Sequence, residues 1–432
     1  MLSGSPKSLG LQQFRLKTQI MNPKSQYRRR GIRFDRLVVL LLCASVVSRI
    51  YGADQGAVTV SAEFPGGNIS VDKNEAGSVH VAPDLRGDRP WFYWYFEAKA
   101  VEPGRVSFVF PEKVVGFKNG AISFQGPAFS PDTGTTWRYL GTNNVLGKDF
   151  FYDFTKPNET VRFAVAIPYV QSDLDKFLIR NASNPHLKQS VLTKSRKGRP
   201  VELLQIGRPA PERKNVLVTG RHHAAETIAS HVLEGFLQAA IADNPTGEAF
   251  RSKYFLYAVP FVDKDGVEDG DQGKNRLPHD HNRDYGPIPI YPEVKAIMEL
   301  AMSAKIVMSL DFHCPTLVMP DHQVMYFVGP KDRPIGNFAN VSMLAKGIKQ
   351  GLPANSPHGP LVWLKPAPIQ LPMNSYYFGF RDDAMMAATL EIPFAPPGKI
   401  MTPARCREYG KVVLEAWTRA SFVSGSNEKT TE

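Results

Sequence analysis

The chain has 432 residues, 43% of them hydrophobic and 22% charged, which is enough apolar sequence to bury more than one core and excludes a disordered chain. Its formal net charge is +11, but residues 1–53 hold ten Lys or Arg and one acid, so about +2 remains for the rest and the charge argument for nucleic-acid binding disappears. Three cysteines are too few for a disulfide-built fold.

At the start of the chain, Arg28, Arg29, Arg30, Arg33 and Arg36 precede an apolar run over 37–47, and Tyr51-Gly52-Ala53 offers a small residue for cleavage. Residues 1–53 therefore read as a signal peptide or leader, and the expected localisation is exported, either periplasmic or secreted. The run is too short to span a bilayer comfortably, so no stable membrane span is expected after cleavage. Cys43 follows Leu42, where lipidation would want a small residue.

From 58 to about 170, strand-like runs at 58–61, 91–96, 105–110 and 161–165 are separated by Gly, Pro, Asp and Asn clusters. Residues 54–172 are expected to form an antiparallel β-sandwich. Within it, Ser130-Pro131-Asp132-Thr133-Gly134-Thr135-Thr136-Trp137 matches the Asp-box of sialidases and other propellers. The box occurs once, whereas a propeller needs repeated blades, so it reads as a hairpin-turn device with glycosidase as a rival reading.

After Ser172-Asp173-Leu174, apolar strands expected at 215–220, 254–259, 305–310 and 387–394 alternate with amphipathic helices, the last around 412–422. Residues 173–425 are thus expected to form an α/β domain with a mixed central sheet flanked by helices, and 426–432 a disordered tail.

The strand expected at 215–220 runs into Arg221-His222-His223-Ala224-Ala225-Glu226, after which Ile228, Val232, Phe236, Leu237 and Ala240 recur at helical spacing. Open α/β sheets keep their ligands at such strand-to-helix junctions. His223 and Glu226, at i and i+3, project from one face of a turn, and adjacent His222 points elsewhere. Asp311-Phe312-His313 brings a second imidazole from a neighbouring strand. Two His and one Glu meet the ligand count of a hydrolytic zinc site, which keeps a fourth position for water. An isolated HxxE is more often incidental on a surface helix; its junction context favours a metal.

Between these motifs, the run from Val259 through Asp263-Lys264-Asp265-Gly266-Val267 leads past Gly270 to Asn275-Arg276 and then to Asp280-His281-Asn282-Arg283, while Thr389-Leu390-Glu391 comes late. In order and approximate spacing these resemble the zinc metallocarboxypeptidases, specifically the cytosolic carboxypeptidase-like branch. There HxxE, NPDGV, an isolated Arg, an NR pair, DxHGHS and a late TxE follow one another. Trp94-Tyr95-Phe96-Glu97 and Pro168-Tyr169-Val170-Gln171-Ser172-Asp173-Leu174 also match the aromatic strand and closing segment of that branch's N-terminal β-domain.

The resemblance implies one zinc ion per chain on His223, Glu226 and His313, with Glu391 as general base and Arg276 polarising the scissile carbonyl. It implies a peptide substrate whose free C-terminal carboxylate is clamped by Asn282 and Arg283, with Tyr377 or Tyr376 closing over it and Arg381 reading an acidic side chain. Asp311, on the same strand face as His313, is a candidate partner for that ligand, and Cys314 reads as packing. His279, His281 and His322 have no defensible metal-ligand pairing. Where the family has HPGE, NPDG and DxHGHS, this chain has His-Ala-Ala-Glu, Asp-Lys-Asp-Gly and Asp-Phe-His-Cys-Pro-Thr, which leaves pocket and branch open. An amide deacylase of the aspartoacylase and desuccinylase type uses the same metal set, but the β-sandwich in front argues against it. An idle peptide- or glycan-binding relative has no need of three ligands and Glu391. Side-chain preference, exo or endo cleavage, oligomeric state and pairing of Cys314 with Cys406 stay open.

Overall fold

In the computed structural model, residues 58–112, 121–317, 323–328, 335–353, 356, 362–363, 373–379, 381–394, 396 and 400–423 are described. The expected leader, the expected tail and His322 lie outside them.

Alternation of aromatic and polar residues builds the first half. Strands β1 (Val58–Ser61), β2 (Ser70–Glu75), β3 (Ser78–Ala82), β4 (Tyr95–Ala100), β5 (Gly104–Val109), β6 (Ala128–Ser130), β7 (Arg138–Tyr139), β8 (Val145–Leu146), β9 (Asp149–Phe154) and β10 (Glu159–Ala164) form two sheets, ordered β1-β4-β10-β6-β7 and β2-β3-β5-β9-β8. Phe96, Phe108, Phe150 and Phe163 are fully buried between them, with ring centroids 4.8 Å apart for Phe108 and Phe150. The sandwich is antiparallel as expected, except that β3 pairs parallel with β5.

The strand expected at 91–96 forms its ladder only from Tyr95. The reason is a substitute partner: the Tyr93 N–H donates to Gln272 Oε1 at 2.7 Å, and Gln272 Nε2 donates back to the Tyr93 carbonyl at 2.8 Å. One side-chain amide thus does for this segment what a neighbouring strand would do. The Asp-box behaves as a turn device: Asp132 Oδ1 accepts from Ser130 Oγ at 2.7 Å and from the Thr136 N–H at 2.8 Å, closing the β6–β7 hairpin.

The second half contains α1 (Gln171–Arg180), β11 (Leu187–Lys194), β12 (Pro200–Ile206), β13 (Lys214–Gly220), α2 (Thr227–Ala240), α3 (Pro245–Lys253), β14 (Tyr254–Val259), α4 (Lys264–Asp269), α5 (Pro292–Ser303), β15 (Met308–His313), β16 (Tyr326–Val328), α6 (Ile335–Gly351), β17 (Val362–Trp363), α7 (Asn374–Gly379), β18 (Met386–Glu391) and α8 (Pro403–Arg419). Its sheet runs β11-β12-β14-β13-β15-β18-β16-β17, with β14, β13, β15 and β18 mutually parallel at the centre. An antiparallel sandwich followed by a mixed sheet flanked by helices is the predicted architecture. Among the described residues, no helix is long and apolar enough to cross a membrane.

Strand β15 begins three residues later than expected because Lys305 takes a left-handed turn (φ 49°) on leaving α5. That shift matters for the site. It sets His313 opposite Glu391 and Phe312 opposite Gly220, so the carboxyl ends of three parallel strands open on one edge. Helix α2, which follows the turn at 221–226, lies hard against α8: a Cβ on Gly235 would sit 2.1 Å from the Arg407 carbonyl oxygen, and one on Gly410 2.0 Å from that of Val232.

Candidate active site and metal centre

The turn between β13 and α2 is held from below by Arg221, which is fully buried with a left-handed backbone (φ 58°). Its guanidinium donates to the Ala224 carbonyl at 3.0 Å, to the Tyr169 carbonyl at 2.7 Å and to Ser230 Oγ at 3.1 Å. The turn so tied presents His223 and Glu226 inward, with the Glu226 N–H donating to the His223 carbonyl at 3.2 Å.

His223 Nδ1 lies 2.7 Å from Glu226 Oε1, and His313 Nδ1 lies 3.2 Å from His223 Nδ1 and 2.8 Å from Glu226 Oε2. All three residues are buried. Glu226 Oε2 nevertheless has no hydrogen bond, because His313 approaches it outside hydrogen-bond geometry. Two imidazole nitrogens this close cannot both present lone pairs without repulsion. A tetrahedral cation with two nitrogen donors and one oxygen donor removes both faults, and these are zinc's preferred ligand types. The set therefore fits zinc. Burial opposes the Glu226 charge, but His223 and His313 hold its carboxyl well below the usual carboxylate range.

His222, Asp311 and His313 form a second convergent group. Asp311 Oδ2 lies 2.6 Å from His313 Nε2, while Oδ1 lies 2.8 Å from His222 Nδ1 and accepts from Thr219 Oγ1 at 2.7 Å. These are hydrogen-bond distances that satisfy the carboxylate, so Asp311 acts as the partner of His313 expected from the strand alternation. Asp280 lies near the other ligand without a hydrogen bond to it, its Oδ1 3.5 Å from His223 Nε2.

Above the metal ligands lies a cavity of about 160 Å³, lined by His223, Lys274, Asn282, Arg283, His313, Val328, Met373, Tyr376, Thr389 and Glu391. Glu391 sits beside His313 on β18, and its Oε2 is buried without a hydrogen bond. Burial pushes its carboxyl up to about 7, against the pull of His313. That value suits a group that must take and return a proton near neutrality. Asn282 Oδ1 accepts from the Asn374 N–H at 3.1 Å, and the Arg283 guanidinium reaches the cavity beside it.

Not every expected residue arrives. Arg276 does not line the cavity; it is held by Asp263 and Asp271, each at 2.9 Å, and by Asp88 at 3.6 Å. The cavity cation beside the metal ligands is Lys274, whose Nζ lies 3.5 Å from His223 Nε2; Arg283 also lines the cavity. Tyr377 turns away to pack on Tyr285 and Phe378, and Tyr376 lines the cavity instead. Arg381 pairs with Asp383 at 2.8 Å and also lies outside the cavity lining. His279 binds Asp284, and His281 stacks on Tyr291. Cys314 and Cys406 are both buried and free.

Sequence reasoning passed over Lys274, Asp280 and the partners of His222. Asp280 was within reach, standing two residues before Asn282. Lys274 carried no signal other than its charge.

Residues 176–287 match the family model described as "Zinc carboxypeptidase", the class whose metal-ligand types the site presents. Part of the chain is similar to cytosolic carboxypeptidases. It is 26% identical over 196 residues to cytosolic carboxypeptidase 2 of Xenopus tropicalis, covering 40% of this chain and 20% of that protein. It is 24% identical over 255 residues to cytosolic carboxypeptidase 6 of Caenorhabditis elegans, covering 53% and 54%. The chain thus spans about half or less of the length of these relatives. Its fold is shared with a metallo-carboxypeptidase from Burkholderia cenocepacia, at TM-score 0.70 and 20% identity over 84% of this chain and 98% of that one. A metallo-carboxypeptidase from Pseudomonas aeruginosa matches at TM-score 0.67 and 22% identity over 83% and 98%.

Proposed function

We propose that the chain is an exported zinc-dependent metallocarboxypeptidase that hydrolyses C-terminal peptide bonds. The observation that carries this reading is the convergence of His223, Glu226 and His313 on one point, with Glu391, whose Oε2 is buried without a hydrogen bond, lining the same cavity. Zinc bound there would supply Lewis acidity, making a water nucleophilic near neutral pH. Glu391 takes the proton of the attacking water and returns it to the leaving amine. The Lys274 ammonium takes the role expected of Arg276 and faces the oxygen on which negative charge develops. Arg283 and Asn282 bind the terminal carboxylate, the guanidinium supplying the paired donors that suit a carboxylate. Tyr376 closes the cavity wall.

The test expresses the full chain and reads its mature terminus, its metal content and the residues it releases from a mixed peptide library by mass spectrometry. The expected result is a terminus near residue 54, about one zinc per chain, single C-terminal residues released by the wild type, and none by Glu391→Gln with zinc retained. Zinc without peptide cleavage would point to acyl-amino acids instead, and an inability to bind zinc would end the reading.

A further inference from the structure

His222 is absorbed by no part of the reaction, yet it is completely buried beside the centre and both ring nitrogens are engaged. Nδ1 lies 2.8 Å from Asp311 Oδ1, and Nε2 lies 2.8 Å from the Tyr285 hydroxyl. Its ring stacks on that of His313, with centroids 5.6 Å apart and planes 10° from parallel. A buried imidazole costs least when both ring nitrogens find hydrogen-bond partners. Here a polar ring is wedged between a carboxylate and a phenol.

The donors can be ordered along the chain of contacts. Asp311 places one carboxylate oxygen 2.6 Å from His313 Nε2 and the other 2.8 Å from His222 Nδ1, and as a carboxylate it accepts from each. His222 must then carry its proton on Nδ1, leaving Nε2 to accept from the Tyr285 O–H. His313 must carry its proton on Nε2, leaving Nδ1 with the lone pair that faces His223 and Glu226. Each link fixes the tautomer of the next. Beyond Tyr285 the path reaches substrate-side residues. Tyr285 stands two positions after Arg283 and packs on Tyr377 and Phe378 of α7, whose first residue, Asn374, donates its N–H to Asn282.

We infer that His222 is a positioning residue that locks the metal ligand His313 through Asp311 and ties it, through Tyr285, to the Asn282–Arg283 clamp. The inference rests on the proposed zinc site. It adds a coupling between metal affinity and substrate-carboxylate binding, since hydrogen bonds as far as Tyr285, and the packing of its ring on α7 beyond, connect the two.

The experiment compares the wild type, His222→Phe and Tyr285→Phe in the metal-free state. Zinc affinity is read by competition with a chromophoric chelator at fixed pH, thermal midpoint by circular dichroism, and KM separately from kcat after reloading. His222→Phe fills the space without the hydrogen bonds and is expected to bind zinc about 10- to 100-fold more weakly. Tyr285→Phe removes one hydroxyl and is expected to lose less than tenfold in zinc affinity while KM rises. A purely packing role would lower the midpoint and leave zinc affinity within twofold of wild type, which overturns the inference. Should His222→Phe fail to fold, unchanged zinc affinity and KM in Tyr285→Phe overturn it alone. A wild type that binds no zinc overturns both this inference and the reading it rests on.

Discussion

Lys274 and Arg276 stand two residues apart and face different surroundings. Arg276 is the nearer match to an isolated arginine ahead of an NR pair, and that resemblance in motif order selected it. The structure closes three carboxylates around it, one of them the completely buried Asp263. Burial opposes the Asp263 charge, and Arg276 with His281 holds its carboxyl below the ordinary range. Removing Arg276 leaves that charge unpaired, so Arg276→Ala is expected to cost about 3–5 kcal/mol of stability. Lys274→Ala is expected to leave the thermal midpoint near wild type and to lower kcat/KM by about 10²-fold or more. Steady-state kinetics and thermal unfolding on both variants check the assignment, and a reversed pattern would return the catalytic role to Arg276. The pH profile belongs to Glu391. Its carboxylate form is the competent base, so kcat/KM falls as pH drops through its pKa. Burial sets that pKa at about 7, and a bound cation lowers it further, so the acid limb is expected at or below pH 7. Activity that rises on acidification would contradict Glu391 as base.

Elements were legible in the sequence where one physical signal dominated. Strands β13 and β14 are continuous apolar runs and fall where expected, as does the junction that carries His223 and Glu226. Errors arose where tertiary partners decided the outcome. The aromatic run at 91–94 has every local mark of a strand but hydrogen-bonds to a glutamine instead of a ladder. Tyr376 and Tyr377 are equivalent by composition, yet successive residues of α7 point about 100° apart, so only one can face the cavity. His222 points away from its neighbour's metal-binding face, as expected, but what lay on its other side could not be read from spacing. The α2–α8 contact was equally hidden. Gly235 and Gly410 show no local need for glycine, and only the backbones meeting there explain them. Gly410→Ala must push the helices apart, with an expected loss of about 3 kcal/mol. Because Glu226 immediately precedes α2, zinc affinity should fall with it. Chemical denaturation and zinc titration would show a neutral substitution if the contact had slack.

Across the molecule, the sandwich and the central sheet contribute to one continuous buried core, in which Phe92 meets Phe394 at 5.5 Å. The loop that carries Lys274 and Arg276 is gripped by the sandwich at several points: Asn68 Nδ2 donates to the Gly270 carbonyl at 2.8 Å, and Arg86 pairs with Asp271 at 2.9 Å. The halves should therefore unfold together. Tryptophan reporters at Trp94 in the sandwich and Trp417 in α8 are expected to share one denaturation midpoint, whereas two separated transitions would show the halves to be independent.

The amide of Gln272, matched to both backbone groups of Tyr93, has an evolutionary consequence. A lineage that exchanged its sandwich for a diverged copy would inherit a backbone at 91–94 shaped for another partner, and the loop bearing Lys274 would lose its register against the metal. Recombination at the boundary between the halves is thereby penalised, so the front half should drift in step with the loop it braces and travel with it as one heritable piece.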